Sequence, residues 1–138
     1  MHHDGKLYYV ANRILNCIDA ATGKRLYQGR LSGASAARAE APAAAEEGER
    51  RPPGGGRGRG GGGQDYSSPV IAGGKLYYVA RNGETHVFKL GDTFQQLATN
   101  RVTDAVEDFS ATPAFGGGAI FLRSNKHVYC VADDAATK

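Results

Sequence analysis

The chain has 138 residues, enough for one ordinary domain, but its composition is unusual for a globular protein. Glycine is about twice as frequent as average, and half of the 20 glycines lie between Gly33 and Gly63. The net charge of +3 is far below that of a dedicated nucleic-acid-binding surface. The longest apolar runs fall well short of the roughly 18 residues of a membrane-spanning helix, and two cysteines cannot build a disulfide framework.

One sequence motif occurs three times. Residues 69–79 recur at 113–123 with an offset of 44, and Gly5–Val10 recurs as Gly74–Val79 with an offset of 69. Removing the low-complexity stretch between the first two copies reduces their spacing to about forty residues. A period of that length is typical of propeller blades or of helical arrays.

The residues within each copy favour strands over helices. Aromatic and β-branched runs follow Gly-Gly turns at Leu76–Val79 and Ile120–Leu122, and no window has a helical period. The sequence therefore predicts an all-β fold of four-stranded antiparallel blades with strands A to D. The predicted strands are B 6–11, C 14–18 and D 25–30; then A 67–71, B 75–80, C 85–90 and D 94–99; then A 111–115, B 119–123 and C 127–132.

These strands predict a partial β-propeller of about three blades, the first lacking strand A and the last lacking strand D. The predicted units are an incomplete blade 1–31, an insert 32–64, a complete blade 65–108 and an incomplete blade 109–138. Because propellers close with about four to eight blades, we interpret the chain as a C-terminal fragment of a larger propeller. A small open β-meander, complete in itself, is the alternative.

The insert 32–64 is rich in Ala, Gly and Arg and has no aromatic or β-branched residue. It cannot bury enough apolar surface to offset the entropy of ordering, so we expect a disordered loop. Its tract 54–63 resembles Gly/Arg segments that bind single-stranded nucleic acid loosely. No aromatic residue alternates with its arginines, and a solvated spacer is the preferred interpretation.

Gly5–Val10, followed by Asn16–Lys24, resembles the repeat of the PQQ-like (pyrroloquinoline-quinone-like) β-propeller family. This family belongs to the quinoprotein alcohol dehydrogenase-like superfamily, which includes the outer-membrane protein assembly factor B type. The resemblance covers residues 4–31 and 65–134 and implies a periplasmic or extracellular protein. The chain begins without a recognisable secretory signal, which an amino-terminal truncation would explain, so its location stays open.

Several residues of the repeat are predicted to have structural roles. Asp19 is expected to start a turn in which Gly23 takes a positive φ. Tyr27 falls at the family's tryptophan-docking position, and the chain has no Trp, so we expect Tyr27 to pack between blades. The structural set is Gly5, Asp19, Gly23, Tyr27, Pro69, Gly74, Pro113 and Gly118.

No catalytic, cofactor-binding or metal-binding residue is predicted. The resemblance implies that a working quinoprotein dehydrogenase needs calcium, a catalytic aspartate and a tryptophan stacked on the quinone. The acidic candidates lie in connecting loops without an Asn or Trp partner: Asp65, Asp104, Glu107 and Asp108. No oxygen-rich calcium loop is present in the sequence.

Two pairs of residues are assigned to equivalent places in strand C of different blades. His86 and His127 would allow a metal pair between adjacent blades, but no third ligand recurs beside them. Cys17 and Cys130 are expected to be buried and to pack as small hydrophobic residues.

The expected function is that of a non-catalytic structural or protein-interaction platform, which binds through its loops. The expected partners are other proteins and the missing propeller blades, with no cofactor and no nucleic acid. Two alternatives stay open: the C-terminal part of a PQQ-dependent quinoprotein oxidoreductase, and weak RNA binding through the insert. The candidate contacts lie in two B–C turns and are Arg81, Asn82 and Glu84, then Arg123, Asn125 and Lys126.

Overall fold

A computed structural model of the protein describes residues 1–33 and 66–133, and these residues form three antiparallel β-sheets without a helix. In each sheet the strands are neighbours in chain order. Sheet 1 contains β1 (His2–His3), β2 (Lys6–Ala11), β3 (Ile14–Asp19) and β4 (Arg25–Arg30); sheet 2 contains β5 (Val70–Ala72), β6 (Lys75–Val79), β7 (Glu84–Lys89) and β8 (Gln96–Arg101); sheet 3 contains β9 (Ala114–Gly116), β10 (Ala119–Arg123) and β11 (Val128–Ala132). The all-β, blade-like architecture predicted from the repeat is confirmed.

The repeated glycines close the first hairpin of each sheet. Gly5, Gly74 and Gly118 have φ values of +68°, +72° and +78°. Each follows another residue of positive φ, and two such residues in succession form the tight turn whose twist matches that of paired strands. This requirement explains why the Gly-Gly phrase recurs at the same place in sheets 2 and 3.

The expectation that the first sheet lacks strand A is wrong. The two-residue strand β1 pairs His2 with Leu7 and His3 with Lys6, and it occupies the place of that strand. Sheet 3 has three strands among the described residues. Residues 34–65 and 134–138 lie outside the described part, and with them nearly all of the predicted insert.

The A strands of sheets 2 and 3 and the D strand of sheet 2 begin later than predicted. β5 and β9 start immediately after Pro69 and Pro113, because proline has no N–H to give to a ladder. β8 starts at Gln96 and not at Phe94. The ring of Phe94 turns toward that of Phe88, with ring centroids 5.9 Å apart, and Phe94 lies before the strand.

The three sheets pack face to face in chain order. The first core lies between sheets 1 and 2, and the second, smaller core lies between sheets 2 and 3. The buried residues of the first core are Tyr8, Leu15, Cys17, Leu31, Leu76, Tyr78, Ala80 and Phe88. Those of the second core are Val79, Phe109 and Leu122, with Val102, Ile120 and Tyr129 packed against them.

Strand alternation explains why sheet 2 contributes to both cores. Successive side chains of β6 point to opposite faces, so Leu76 and Tyr78 face sheet 1 while Tyr77 and Val79 face sheet 3. The ring of Tyr77 lies 4.8 Å from that of Phe115, centroid to centroid. Each fully buried large apolar side chain stabilises the fold by roughly 1.5–3 kcal/mol, so sheet 2 anchors the molecule.

Candidate functional site

The B–C turns of the three sheets, residues 12–13, 80–83 and 124–127, define what we call the turn end. In sheets 1 and 2 the chain returns to its own B–C turn before it enters the next unit. The amide of Leu31 donates to the carbonyl of Arg13 at 2.9 Å, and the amide of Phe109 donates to the carbonyl of Arg81 at 3.0 Å. The turn end therefore gathers polar side chains from turns and from connecting loops.

The first polar cluster joins sheet 1 to sheet 2. The Arg13 guanidinium donates from Nη2 to Glu84 Oε2 at 3.1 Å, and Glu84 is buried. Glu84 Oε2 lies 3.8 Å from Nε2 of His86, which is fully buried. Glu84 was expected on the interaction surface, and this expectation is wrong, because the side chain points into the contact between the sheets.

Gln96 and Thr99 extend the first polar cluster to the segment after β4. The Gln96 amide donates to the Ser32 carbonyl at 2.8 Å and accepts from the Ser32 amide at 3.0 Å. Thr99 Oγ1 also donates to the Ser32 carbonyl, at 2.9 Å. Both side chains lie 3.3 Å from His86 Nδ1. The cluster thus fixes the end of sheet 1 on the buried ring of His86.

The second polar cluster joins the loop after β8 to sheet 3. Glu107 accepts hydrogen bonds from Ser124 Oγ at 2.5 Å and from Tyr129 Oη at 2.9 Å, both at Oε2. Its other oxygen, Oε1, lies 2.9 Å from His127 Nδ1. The Glu107 side chain is 2% exposed and that of His127 is 60% exposed. One buried carboxylate therefore binds three side chains of sheet 3.

The surroundings of the second polar cluster shift the pKa values of Glu107 and Tyr129. The Ser124 hydroxyl, and after it Tyr129 and His127, lower the pKa of Glu107 below its ordinary value, because they stabilise the carboxylate. Burial, with the hydrogen bond to Glu107, raises the pKa of Tyr129. Glu107 is therefore an acceptor and Tyr129 a donor at neutral pH.

Asp108, the neighbour of Glu107, links two of the predicted contact residues. Arg81 donates from Nε to Asp108 Oδ2 at 2.6 Å, within sheet 2 and its following loop. Asp108 and Asn125 exchange two hydrogen bonds, from the Asp108 amide to Asn125 Oδ1 at 3.1 Å and from the Asn125 amide to the Asp108 carbonyl at 2.9 Å. Arg81 and Asn125 are thus brought together through a loop residue.

The other predicted contact residues are exposed. Asn82 shapes its own turn, since its Oδ1 accepts from the Glu84 amide at 3.1 Å and its carbonyl accepts from Arg101 at 2.8 Å. Arg123 ends β10 at the turn, and Lys126 Nζ lies 3.5 Å from the carbonyl of Val106.

The strand register corrects the assignment of His86 and His127 to equivalent positions. The Ala80 amide donates to the Glu84 carbonyl at 2.8 Å, and the Ser124 amide donates to the His127 carbonyl at 2.9 Å. Glu84 and His127 therefore close corresponding turns, and His127 corresponds to Glu84. The two histidines are therefore two places apart in register, because His127 closes its turn whereas His86 is the second residue after Glu84, which closes the other turn.

By the same register, His86 corresponds to Tyr129. His86 pairs with Tyr78 across sheet 2, and Tyr129 pairs with Leu122 across sheet 3. A ring at this position approaches a buried carboxylate in both polar clusters, Glu84 in the first and Glu107 in the second. The metal pair considered for the two histidines does not match this arrangement, because the histidines are not at equivalent positions.

The cysteines do occupy equivalent positions, but their surroundings differ. Cys17 pairs with Tyr8 and Cys130 pairs with Phe121 at the same place in the two sheets. Cys17 is fully buried, and burial raises the pKa of its thiol. Cys130 is exposed, so the expectation that both are buried is wrong for Cys130.

The structural residues of the repeat lie away from the turn end or inside the cores. Asp19 Oδ1 accepts from the amide and hydroxyl of Thr22, both at 2.7 Å, and Gly23 has a φ of +71° in the same turn. The Thr22 hydroxyl, first among these donors, lowers the pKa of Asp19. Tyr27 packs against the first core, and its pKa is raised by burial. Pro69 and Pro113 are buried.

Sequence reasoning missed the roles of Arg13, Ser32 and Gln96 in the first cluster and of Ser124 in the second. Glu107 was noticed only as a loop acid. The signal available was the return of each loop to its turn, which depends on tertiary packing that spacing alone does not encode.

Among residues 1–33 and 66–133, no group of three or more His, Cys, Asp or Glu side chains is placed to hold a metal ion. Of the acidic candidates, Asp65 lies outside the described residues and Asp104 is exposed in the loop after β8. In the same part of the chain, no helix has the length and apolar character needed to cross a membrane. The chain matches no protein-family model, and no curated protein is significantly similar to it.

Proposed function

We propose that the chain is a non-catalytic segment of PQQ-like β-propeller repeats that presents its turn end to a protein partner. The observation that supports this proposal is that acidic side chains at the turn end bind neighbouring parts of the molecule. Glu84, Glu107 and Asp108 bind neighbouring sheets and loops, so they hold the turns in place. A surface fixed in advance loses little entropy on binding.

The exposed charge of the turn end indicates the chemistry of the partner. Glu84, Glu107 and Asp108 are buried or partly buried, whereas basic side chains reach solvent beside them. These basic residues are Arg101, Arg123 and Lys126, with the partly exposed Arg13 and Arg81 behind them. Complementary charge guides association, so we propose an acidic surface or acidic peptide as the partner.

The assignment to a propeller rests on the repeat and on the stacking of the sheets. A period of about forty residues is the length of a four-stranded blade. Two successive face-to-face contacts, each through a hydrophobic core, are the arrangement that blades adopt around an axis.

Site-specific photo-crosslinking tests this proposal. A photoreactive amino acid at Lys126, on the turn end, is compared with the same substitution at Lys75, an exposed lysine at the far end of β6. In cells that express the chain naturally, we expect a discrete protein adduct from position 126, and its loss in Arg123→Glu. Equal adducts from both positions, or adducts with nucleic acid, would contradict the proposal.

A further inference from the structure

The outer face of sheet 3 exposes large apolar side chains. Phe121 pairs with Cys130, and Arg123 pairs with Val128, so these four side chains lie on one face of the sheet. Phe121 is 40% exposed and Val128 is 70% exposed. The opposite face carries Leu122 and packs on sheet 2, so the exposed residues form the second face of this sheet, on which no other described sheet packs.

The corresponding face is covered in both preceding sheets. The equivalent cross-strand pairs are Tyr8 with Cys17 in sheet 1, Tyr77 with Val87 in sheet 2 and Phe121 with Cys130 in sheet 3. The pair in sheet 1 lies in the first core against sheet 2. In sheet 2, Tyr77 packs on Phe115 of sheet 3. The outer face of sheet 3 thus repeats a surface that twice receives another sheet.

Sheet 1 presents the complementary surface. Its outer face carries Leu7 opposite Ile18 and Tyr9 opposite Asn16. The same places in sheet 2 hold Leu76 opposite Phe88 and Tyr78 opposite His86, which receive sheet 1 in the first core. Tyr9 is 43% exposed. The chain therefore carries both halves of one kind of contact, at opposite ends of its stack.

We propose that a second copy of this chain packs the outer face of its sheet 1 on the outer face of sheet 3, head to tail. The contact continues the series that the first and second cores begin. Such a heterologous contact forms rings when its rotation closes. The described residues of two copies supply six sheets, a number within the range of closed propellers, so we propose a closed pair of these sheets.

The first test is the mass of the protein in solution. We expect a species of twice the 14.5 kDa of one chain, in equilibrium with monomer on dilution. Phe121→Lys and Val128→Lys should each shift this equilibrium toward monomer by at least about tenfold, since a buried unpaired charge is costly. Val106→Lys, at a loop residue that is 94% exposed, is the matched control and should remain paired.

Mixing two variants tests the head-to-tail geometry. Phe121→Lys keeps the sheet 1 face, and Tyr9→Lys keeps the sheet 3 face. Each variant alone should be a monomer, and an equal mixture should give a mixed pair through the one intact contact. A bismaleimide should also join Cys130 of one copy to the thiol introduced by Tyr9→Cys in another.

Three results would overturn the proposal. The first is that the wild-type protein stays monomeric up to about 1 mM, a concentration at which even weak associations are populated. The second is a dimer that Phe121→Lys does not weaken. The third is a crosslink from Cys130 of one copy to Cys130 of the other. A monomer would leave the face to a different sheet-bearing partner. Circular dichroism verifies that each variant is folded. Because Tyr9→Lys lies on sheet 1, away from Arg123 and Lys126, this variant lets self-association and the partner contact at the turn end fail separately.

Discussion

The two junctions between sheets use the same turn-closing position with different chemistry. At the first junction this position carries the acid Glu84, which binds the base Arg13 of the preceding sheet. At the second junction it carries His127, which binds the acid Glu107 of the preceding loop. The first junction has the larger apolar core, and the second has the smaller one. Repeats can thus keep a fold while they exchange the chemistry that connects them.

The largest expected effect is on the free energy of unfolding, and it should differ between the two cores. Leu76→Ala in the first core should destabilise the protein by about 2–5 kcal/mol, because Leu76 is fully buried. Ile120, at the same place in sheet 3, is partly exposed, so Ile120→Ala should lose about half as much or less. Urea unfolding measures both free energies, and equal losses would contradict the difference between the junctions.

A substitution at Gly29 tests how closely the side chains of the first junction are packed. A side chain at Gly29 would collide with the ring of Phe94, so Gly29→Ala should destabilise the protein by about 1–3 kcal/mol. Gly116→Ala is the control, because that position opens into free space and should change stability by about 0.5 kcal/mol at most. Thermal unfolding compares them. Adding Phe94→Ala should remove the collision, and equal effects at the two glycines would refute the contact.

The second junction should respond to acid through Glu107. Its pKa is lowered in the folded protein, so its contribution is present above the ordinary value of 4.5 and is lost as the pH falls through the lower folded pKa. Ser124→Ala removes the largest cause of the shift. This variant should be less stable than wild type at pH 7, by less than Gly29→Ala, and the gap should narrow in acid.

Unfolding midpoints measured from neutral pH to below pH 4.5 check this expectation. Ser110→Ala, at an exposed serine of the same loop region, is the control and should follow wild type throughout. A gap between Ser124→Ala and wild type that stays constant in acid would separate Ser124 from the ionisation of Glu107.

The smallest effect concerns the two cysteines. In dilute native protein a thiol reagent should modify Cys130 and spare Cys17, because Cys17 is buried and its pKa is raised. Modification followed by peptide mass spectrometry identifies the labelled residue. Rapid labelling of Cys17 in folded protein would show that the first core opens, against the packing described above.

The sequence predicted the strands well because their signals are local. Gly-Gly turns and runs such as Leu76–Val79 place the hairpins directly, whereas β1 was missed because two residues carry no periodic signal. The roles of Glu84 and Glu107 could not be predicted from spacing. Burial of a turn acid depends on the sheet packed against it, and His127 was matched to His86, two places out in register, because register depends on turn length.

The stacking of sheets in series is the claim on which the functional proposals depend. The most direct measurement is the nuclear Overhauser effect between the Hα protons of Gly29, in sheet 1, and the ring protons of Phe94, in the connection between β7 and β8 of sheet 2. Stacked sheets should give strong cross-peaks, with the Gly29 Hα resonances displaced by the ring current. Absence of these cross-peaks in folded protein, with Gly29 Hα at ordinary shifts, would contradict the stacking.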